Sequence, residues 1–346
     1  MTRSNRVGAM AEKQCARVSV APMMDWTDRH CRFFHRQFTR RTMLYTEMIP
    51  AQALVHGAAP RLLEFNPAEH PVALQIGGSC PDQLAEAARL GCEAGYDEIN
   101  LNVGCPSGRV REGGFGACLM ADPDHVARCV ESMQSVAGDT EITVKCRTGI
   151  DDQDPHVALP GFIGRIAAAG VTIIAIHARK ALLNGISPRD NRRIPPLDHE
   201  LVTQMKQRFG RLSIILNGGL ESLDQAIDHL NSGIDGVMFG RAAYNNPSSI
   251  LGPADRRLFE ETGSDVAPEV AVRAMIPYIE SELARGQRLH AITRHMMGAF
   301  TGRPGARRWR RKLSTAGQHP GTGPEFIEAA LREVDAPARD EIAPFA

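Results

Sequence analysis

The sequence predicts a (β/α)8 barrel of the TIM type followed by a small all-helical domain, and three observations carry that expectation. Eight short apolar runs alternate with helical patterns between residues 18 and 239, as in βα units wrapped around a parallel sheet. The first run leads into Pro22-Met23-Met24-Asp25-Trp26, not the GxGxxG turn of a doubly wound dinucleotide fold. After Asn246-Pro247 the strand pattern stops and Gly- and Pro-interrupted helical stretches run from about Ser249 to Val334, as in a small appended bundle.

Taken in order, the predicted strands are Val18–Ala21, Met43–Thr46, Val72–Ile76, Glu98–Asn102, Ile142–Lys145, Ile173–Ile176, Ser213–Leu216 and Gly236–Phe239. Between them lie amphipathic patterns such as Pro81–Ala94, with Asp82 in its first turn and Gly91 and Gly95 near its end. The implied organisation is a tail over 1–16, a barrel over 17–248, a helical domain over 249–335 and a tail over 336–346. A chain of 346 residues with 43% hydrophobic composition has enough apolar material for such a barrel, whose typical size is ~250 residues.

Charge and cysteine usage narrow the function classes. Net charge is +0, so any surface for a polyanion must come from local clustering. The eight cysteines form no CxxC pair and no Cys/His grouping at zinc spacing, which points to reduced thiols and no metal centre. The first sixteen residues have no apolar h-region, and no run approaches the roughly twenty apolar residues of a membrane span. The expectation is a cytoplasmic protein without a membrane anchor.

In a barrel, residues just past each strand share one mouth. That rule gathers Pro22, Met23 and Met24; Glu47; Gln75 and Gly77; Asn102 and Cys105; Lys145 and Arg147; His177 and Arg179; Asn217-Gly218-Gly219; and Gly240-Arg241. Glycines after strands seven and eight are where barrels commonly hold a phosphate on backbone N–H groups. Singly each pair is an ordinary tight turn, but two at those ordinals, with Arg241 beside them, favour phosphate. Lys145 on a strand is a costly charge unless an anion sits beside it. A lone cysteine is usually a buried structural thiol; on a strand-exit loop facing this company, Cys105 becomes a candidate for chemistry.

Six spaced blocks then carry a resemblance. Ala21-Pro22-Met23-Met24-Asp25, Leu74-Gln75-Ile76-Gly77-Gly78, Asn100-Leu101-Asn102-Val103-Gly104-Cys105-Pro106, Val144-Lys145-Cys146-Arg147, His177-Ala178-Arg179 and Asn217-Gly218-Gly219 together resemble the flavin-dependent tRNA-dihydrouridine synthases, from about residue 17 to 315. Gly116-Ala117-Cys118-Leu119-Met120 and His177-Ala178-Arg179-Lys180-Ala181, continuing to Gly185-Ile186-Ser187-Pro188, are similar to the bacterial A type, which acts on D-loop uridines 20 and 20a.

The resemblance implies an FMN-containing barrel, NADPH as reductant, tRNA as substrate and a monomeric chain. Carried over by position, Pro22, Met23, Met24, Gln75, Lys145, His177, Asn217, Gly218, Gly219, Gly240 and Arg241 would line the FMN. Cys105 would be the proton donor and Asn102 would hold the uracil edge. The chemistry fits these types: hydride arriving at C6 of uridine leaves negative charge at C5, which an acid must quench. A thiol, with an ordinary pKa near 8.5, is protonated at neutral pH and still acidic enough to deliver.

Two basic groups would meet the tRNA. Between Arg303 and Lys312 six residues of ten are basic, and Arg303, Arg307, Arg310 and Arg311 would share one side of a helix. Arg189, Arg192 and Arg193 form the other, on a long loop near the mouth. Two competing readings are a flavin barrel acting on a free pyrimidine, which has no use for the basic appendage, and a tRNA-binding folding factor without essential catalysis.

Overall fold

The computed structural model describes residues 18–315 and 323–335; both predicted tails lie outside them. Eight parallel strands close in sequence order, β1 pairing with β8 as well as β2. They are β1 (Val18–Val20), β2 (Met43–Pro50), β3 (Val72–Gly77), β4 (Glu98–Val103), β5 (Glu141–Arg147), β6 (Ile173–His177), β7 (Ser213–Asn217) and β8 (Gly236–Phe239). Every predicted strand is present. The main extension is in β2, where the register shifts between Tyr45 and Met48. A bulge there absorbs Thr46 and Glu47 and lets pairing resume as far as Pro50.

Polar side chains at helix starts punctuate the alternation, because each accepts N–H groups that the first turn leaves unpaired. Asp28 caps α1 (Arg29–Arg36), Asp122 caps α3 (Pro123–Gln134), Asp154 caps α4 (Pro155–Ala168), Asp198 caps α5 (His199–Arg208) and Ser222 caps α6 (Leu223–Asn231). The predicted helix Pro81–Ala94 is α2 (Pro81–Glu93). Gly91 is not its stop signal: a Cβ there would sit 2.6 Å from Leu74 Cδ2 and 2.7 Å from Ile99 Cδ1, so the missing side chain is what lets α2 approach β3 and β4.

Apolar side chains on the outer strand faces join the helices in one continuous core that runs on into the C-terminal helices. The barrel interior is different. Its apolar part is a small separate group, Ala21, Tyr45, Ala73, Ala175, Ile215 and Met238. On the β3–β5 side the interior is polar: Gln75, Glu98, Asn100, Asn102 and Thr143 are all buried.

Beyond α7 (Arg241–Asn245) the principal helices are α8 (Pro268–Ala274), α9 (Ile276–Ala284), α10 (Leu289–Thr293), α11 (Ala306–Ser314) and α12 (Glu325–Asp335). They dock on α1. The carboxylate of Asp28 that caps α1 also accepts from Arg294 at 2.7 Å and contacts His295 at 3.0 Å. Arg29 reaches Glu282 at 2.5 Å and Phe33 stacks on Tyr278 with ring centroids 4.0 Å apart. The Asp28 carboxyl is held far below the usual carboxylate range; burial works against that, and the hydrogen bond and charge of His295 with the hydrogen bonds from Cys31 and Arg294 outweigh it. Among the described residues no helix is long and apolar enough to cross a membrane.

Candidate active site at the barrel mouth

The exit of β4 builds the cysteine loop. Asn102, the last inward-facing polar residue of the strand, turns its Oδ1 onto the chain that follows and accepts from the N–H groups of Gly104 and Cys105, each at 3.0 Å. The Cys105 carbonyl accepts from Ala117 N–H at 2.9 Å. A Cβ on Gly116 would lie 2.6 Å from that carbonyl oxygen, so the following turn can close on the loop only with glycine there. Arg147, from the end of β5, donates to Gly104 O at 2.8 Å. The half-buried thiol points its S–H at Ser107 Oγ, 3.5 Å away. Thus the backbone of Cys105 is fixed from three sides while its sulfur keeps access to the mouth.

Asn102 Nδ2 donates to Gln75 Oε1 at 2.7 Å. With its oxygen bonded to two backbone N–H groups and one N–H given to Gln75, Asn102 retains one N–H for a ligand, a narrower role than holding a whole pyrimidine edge.

The β5–β8 side of the mouth is cationic. Lys145 Nζ donates to Asn217 Oδ1 at 3.0 Å, and Asn217 Nδ2 donates to Met238 O at 2.7 Å. Burial, then the neighbouring Arg147, pushes the Lys145 ammonium down to about 8. Arg147 itself is pushed down to about 10 by burial, with Arg192 and Arg179 adding to it. Burial and Arg241 lower both Arg179 and Arg192. His177 is driven well below its ordinary value by burial and by Arg147, Lys145, Arg179 and Arg192, so it is neutral at pH 7 and offers a donor or an acceptor, not a charge. Among the described residues none of Lys145, Arg147, Arg179, Arg192 and Arg241 ion-pairs with a carboxylate. Cations assembled at this density without acids fit an anionic ligand.

The glycines fit the same ligand. Gly218 has φ +106°, and a Cβ on it would stand 2.5 Å from His177 Cδ2. The turn therefore keeps its backbone open beside His177, as a phosphate cradle requires. At the other side of the seam, Met23 Sδ is 3.8 Å from where a Gly240 Cβ would be, which brings the loop after β1 against the end of β8. Met24 is exposed there, an apolar surface suited to a planar ring. The mouth thus offers an apolar patch, polar groups at Gln75, Lys145, His177 and Asn217, and an anion site: the profile of a phosphorylated flavin.

The basic loop is held to the cysteine loop through one side chain. Arg147 donates to Lys180 O at 2.9 Å and Asn191 O at 3.1 Å as well as to Gly104 O, and the buried Asn191 exchanges hydrogen bonds with Leu182, both at 2.8 Å. Arg189, Arg192 and Arg193 project from this anchored segment and are exposed. Arg111 adds a second tie by donating to Leu183 O and Asn184 Oδ1.

The second basic group needs a correction. Arg303 does not continue the helix of Arg307, Arg310 and Arg311: Gly302 and Gly305, at φ +83° and +82°, break the chain, and α11 begins at Ala306. Arg303 pairs instead with Glu269 at 2.7 Å. It still lines an open concavity of about 610 Å³ with Arg307, Arg308, Arg310 and Arg311. In α11 the buried side is Ala306, Trp309 and Leu313, with Trp309 Nε1 donating to Met296 O at 2.9 Å, and Arg307, Arg310 and Arg311 face outward. Arg308 is committed to the carbonyl of Glu333 at 2.6 Å.

Comparison with known proteins fits this arrangement. The family model described as dihydrouridine synthase matches residues 19–335. The chain is 51% identical over 319 residues to the tRNA-dihydrouridine(20/20a) synthase of Vibrio parahaemolyticus, covering 92% of this chain and 97% of that protein. It is 50% identical over 339 residues to the protein of the same name from Escherichia coli K12, covering 96% and 97%. Among solved structures, an old yellow enzyme homologue from Zymomonas mobilis aligns with a TM-score of 0.50 at 14% identity, over 74% of this chain and 92% of that one, a likeness of fold alone.

Proposed function

The chain belongs to the dihydrouridine synthase family, and from that premise we propose that it reduces uridines 20 and 20a in the D-loop of tRNA, with Cys105 as the acid that protonates C5. The cofactor is FMN, recharged by NADPH, and when bound it supplies the hydride for C6. The observation that carries the residue assignment is the convergence, on one mouth, of a thiol with a fixed backbone and a cluster of cations without acidic partners.

Gly218, Gly219, Gly240 and Arg241 take the phosphate, and Pro22, Met23 and Met24 give the ring an apolar wall. Gln75, Lys145, His177 and Asn217 meet its polar edge. Cys105 holds its proton above the uracil, and the spare N–H of Asn102 orients the base. Displacing a loop uridine from its stack costs a few kcal/mol, and Arg189, Arg192, Arg303, Arg307 and Arg310 offset this through the phosphate backbone. Mouth and basic surfaces belong to one chain, so the reading needs no second copy: a cytoplasmic monomer suffices.

The test is FMN-loaded protein with NADPH and an unmodified tRNA transcript, mapping dihydrouridine by mass. Product at positions 20 and 20a is expected; reduction of free uracil with none in tRNA would overturn the reading. Arg192→Ala and Arg310→Ala are each expected to weaken tRNA binding and to lower the slope of log affinity against log salt by about one, with FMN content unchanged in Arg310→Ala. Binding isotherms across a potassium chloride series check this, and an unchanged slope in both variants would remove these residues from the interface.

A further inference from the structure

The barrel interior carries an unbroken file of hydrogen bonds from the cysteine loop to a buried carboxyl that the proposed reaction does not use. The N–H groups of Gly104 and Cys105 donate to Asn102 Oδ1 at 3.0 Å. Asn102 Nδ2 donates to Gln75 Oε1, Gln75 Nε2 to Asn100 Oδ1, and Asn100 Nδ2 to Thr143 Oγ1, each at 2.7 Å. Thr143 donates to Glu98 Oε1 at 2.6 Å, where Tyr45 OH also donates at 2.5 Å. Three strands contribute in alternation, and Glu98, Asn100, Gln75 and Thr143 are all at least nine-tenths buried.

We propose that Glu98 is a positioning residue for the reaction: by closing this file with an acceptor, it anchors Thr143 and, through it, holds the amides of Asn100, Gln75 and Asn102 in place, and so fixes where the cysteine loop stands. The direction follows from the two ends. Backbone N–H groups can only donate, and at the other end Glu98 Oε1 accepts from both the Thr143 and the Tyr45 hydroxyls. Between such ends each amide has one orientation that satisfies its neighbours, and reversing any one sets N–H against N–H or oxygen against oxygen. Without the acceptor, Thr143 is free to turn its hydroxyl and the lower end of the file loses its anchor.

The placement also explains why a carboxyl is kept inside a barrel. Burial pushes it up to about 7, against the hydrogen bonds of Thr143 and Tyr45 that hold it down, with Glu141 and Asp97 adding to the rise. An apolar residue would fill that space more cheaply if packing were its whole purpose, and the facing interior is in fact apolar at Ala175, Ile215 and Met238. Two members of the file, Gln75 and Asn102, are also residues assigned above to flavin and base.

The inference rests on the reading of Cys105 as the acid, so its test carries a readout independent of turnover. Glu98→Leu removes the acceptor; Thr143→Val cuts the file one link higher with no change of charge and covers the case that Glu98→Leu does not fold. Each is expected to lower kcat for dihydrouridine formation on the order of 10- to 100-fold, the scale of a misplaced catalytic group, while KM for tRNA stays within about twofold. Glu98→Gln, which keeps an acceptor oxygen, should recover most of that loss. In an Asn102→Ala background Glu98→Leu should do little more, because both act through one file. The alkylation rate of Cys105, followed on its own peptide by mass spectrometry, should shift several-fold in Glu98→Leu and Thr143→Val. Unchanged kcat and unchanged alkylation in the folded variants, or effects of Glu98→Leu and Asn102→Ala that simply multiply, would overturn the proposal. A shift in alkylation in the two variants, found together with a wild-type protein that makes no dihydrouridine, would leave the file standing and overturn the functional reading instead.

Discussion

Cys105→Ala is expected to lower dihydrouridine formation by roughly 10²- to 10⁴-fold, the range over which a positioned acid contributes, while FMN content and tRNA affinity stay at wild-type values. The separation follows from how the loop is held. Its backbone is fixed by Asn102 Oδ1, by Ala117 N–H on the Cys105 carbonyl and by Arg147 on Gly104 O, none of which involves sulfur. Removing Sγ forfeits its hydrogen bond to Ser107 and leaves these backbone ties in place. Cys105→Ser is expected to recover little, since a hydroxyl at the same place is a far weaker acid than a thiol. The measurement is a single-turnover assay on FMN-loaded protein reduced with NADPH, with product quantified by mass and tRNA affinity by filter binding. A rate within tenfold of wild type would exclude Cys105 as the essential donor. A parallel loss of tRNA affinity would show instead that the thiol is structural. The same assay separates the enzyme from a tRNA-binding folding factor, whose affinity alone would matter.

How much of this was legible in the chain depended on whether the cause was local. The strands could be read because their outward faces are apolar without interruption, as in Val72, Leu74 and Ile76 or Ile99, Leu101 and Val103. Glycine at the end of β7 was readable because the positive φ of Gly218 and Gly219 leaves a mark in the sequence. The helix boundary at Arg303 was misjudged because helical spacing persists across Gly302 and Gly305 while the backbone does not. Glu98, Asn100 and Asn102 show the period of a strand face in plain view, yet their partners Gln75 and Thr143 sit 25 and 43 residues from Asn100. Only closure of the barrel sets those residues side by side. Arg147 was visible as a charge near the mouth; that it would join two loops needed the carbonyls of Gly104 and Asn191, 43 and 44 residues away, to converge on it.

Lys145→Met should weaken FMN binding at pH 7 by about 10- to 100-fold and abolish its dependence on pH above 8. The ammonium lies on β5 facing the anion site and donates to Asn217 Oδ1 at 3.0 Å, and methionine keeps its length and apolar stem without the charge. A hydrogen bond to a charged group contributes about 1.5–3 kcal/mol, which sets the expected loss. In the ligand-free chain burial and Arg147 bring the ammonium down to about 8 from its usual 10.5. An anion held beside it favours the charged form, so binding above pH 8 requires proton uptake. Affinity is therefore expected to be level below about pH 8 and to fall by up to tenfold per pH unit above it. Stability of the ligand-free chain runs the other way. Between about pH 8 and 10.5 the unfolded chain carries the proton that the folded lysine has released, so this group makes the fold more stable as pH rises through that window. Fluorescence titrations of FMN into stripped protein from pH 6.5 to 9.5, on wild type and Lys145→Met, read both quantities. Equal affinities at pH 7 with parallel pH profiles would mean that the lysine does not face the bound cofactor, and the anion site would then rest on Arg241 and the β7 and β8 glycines alone.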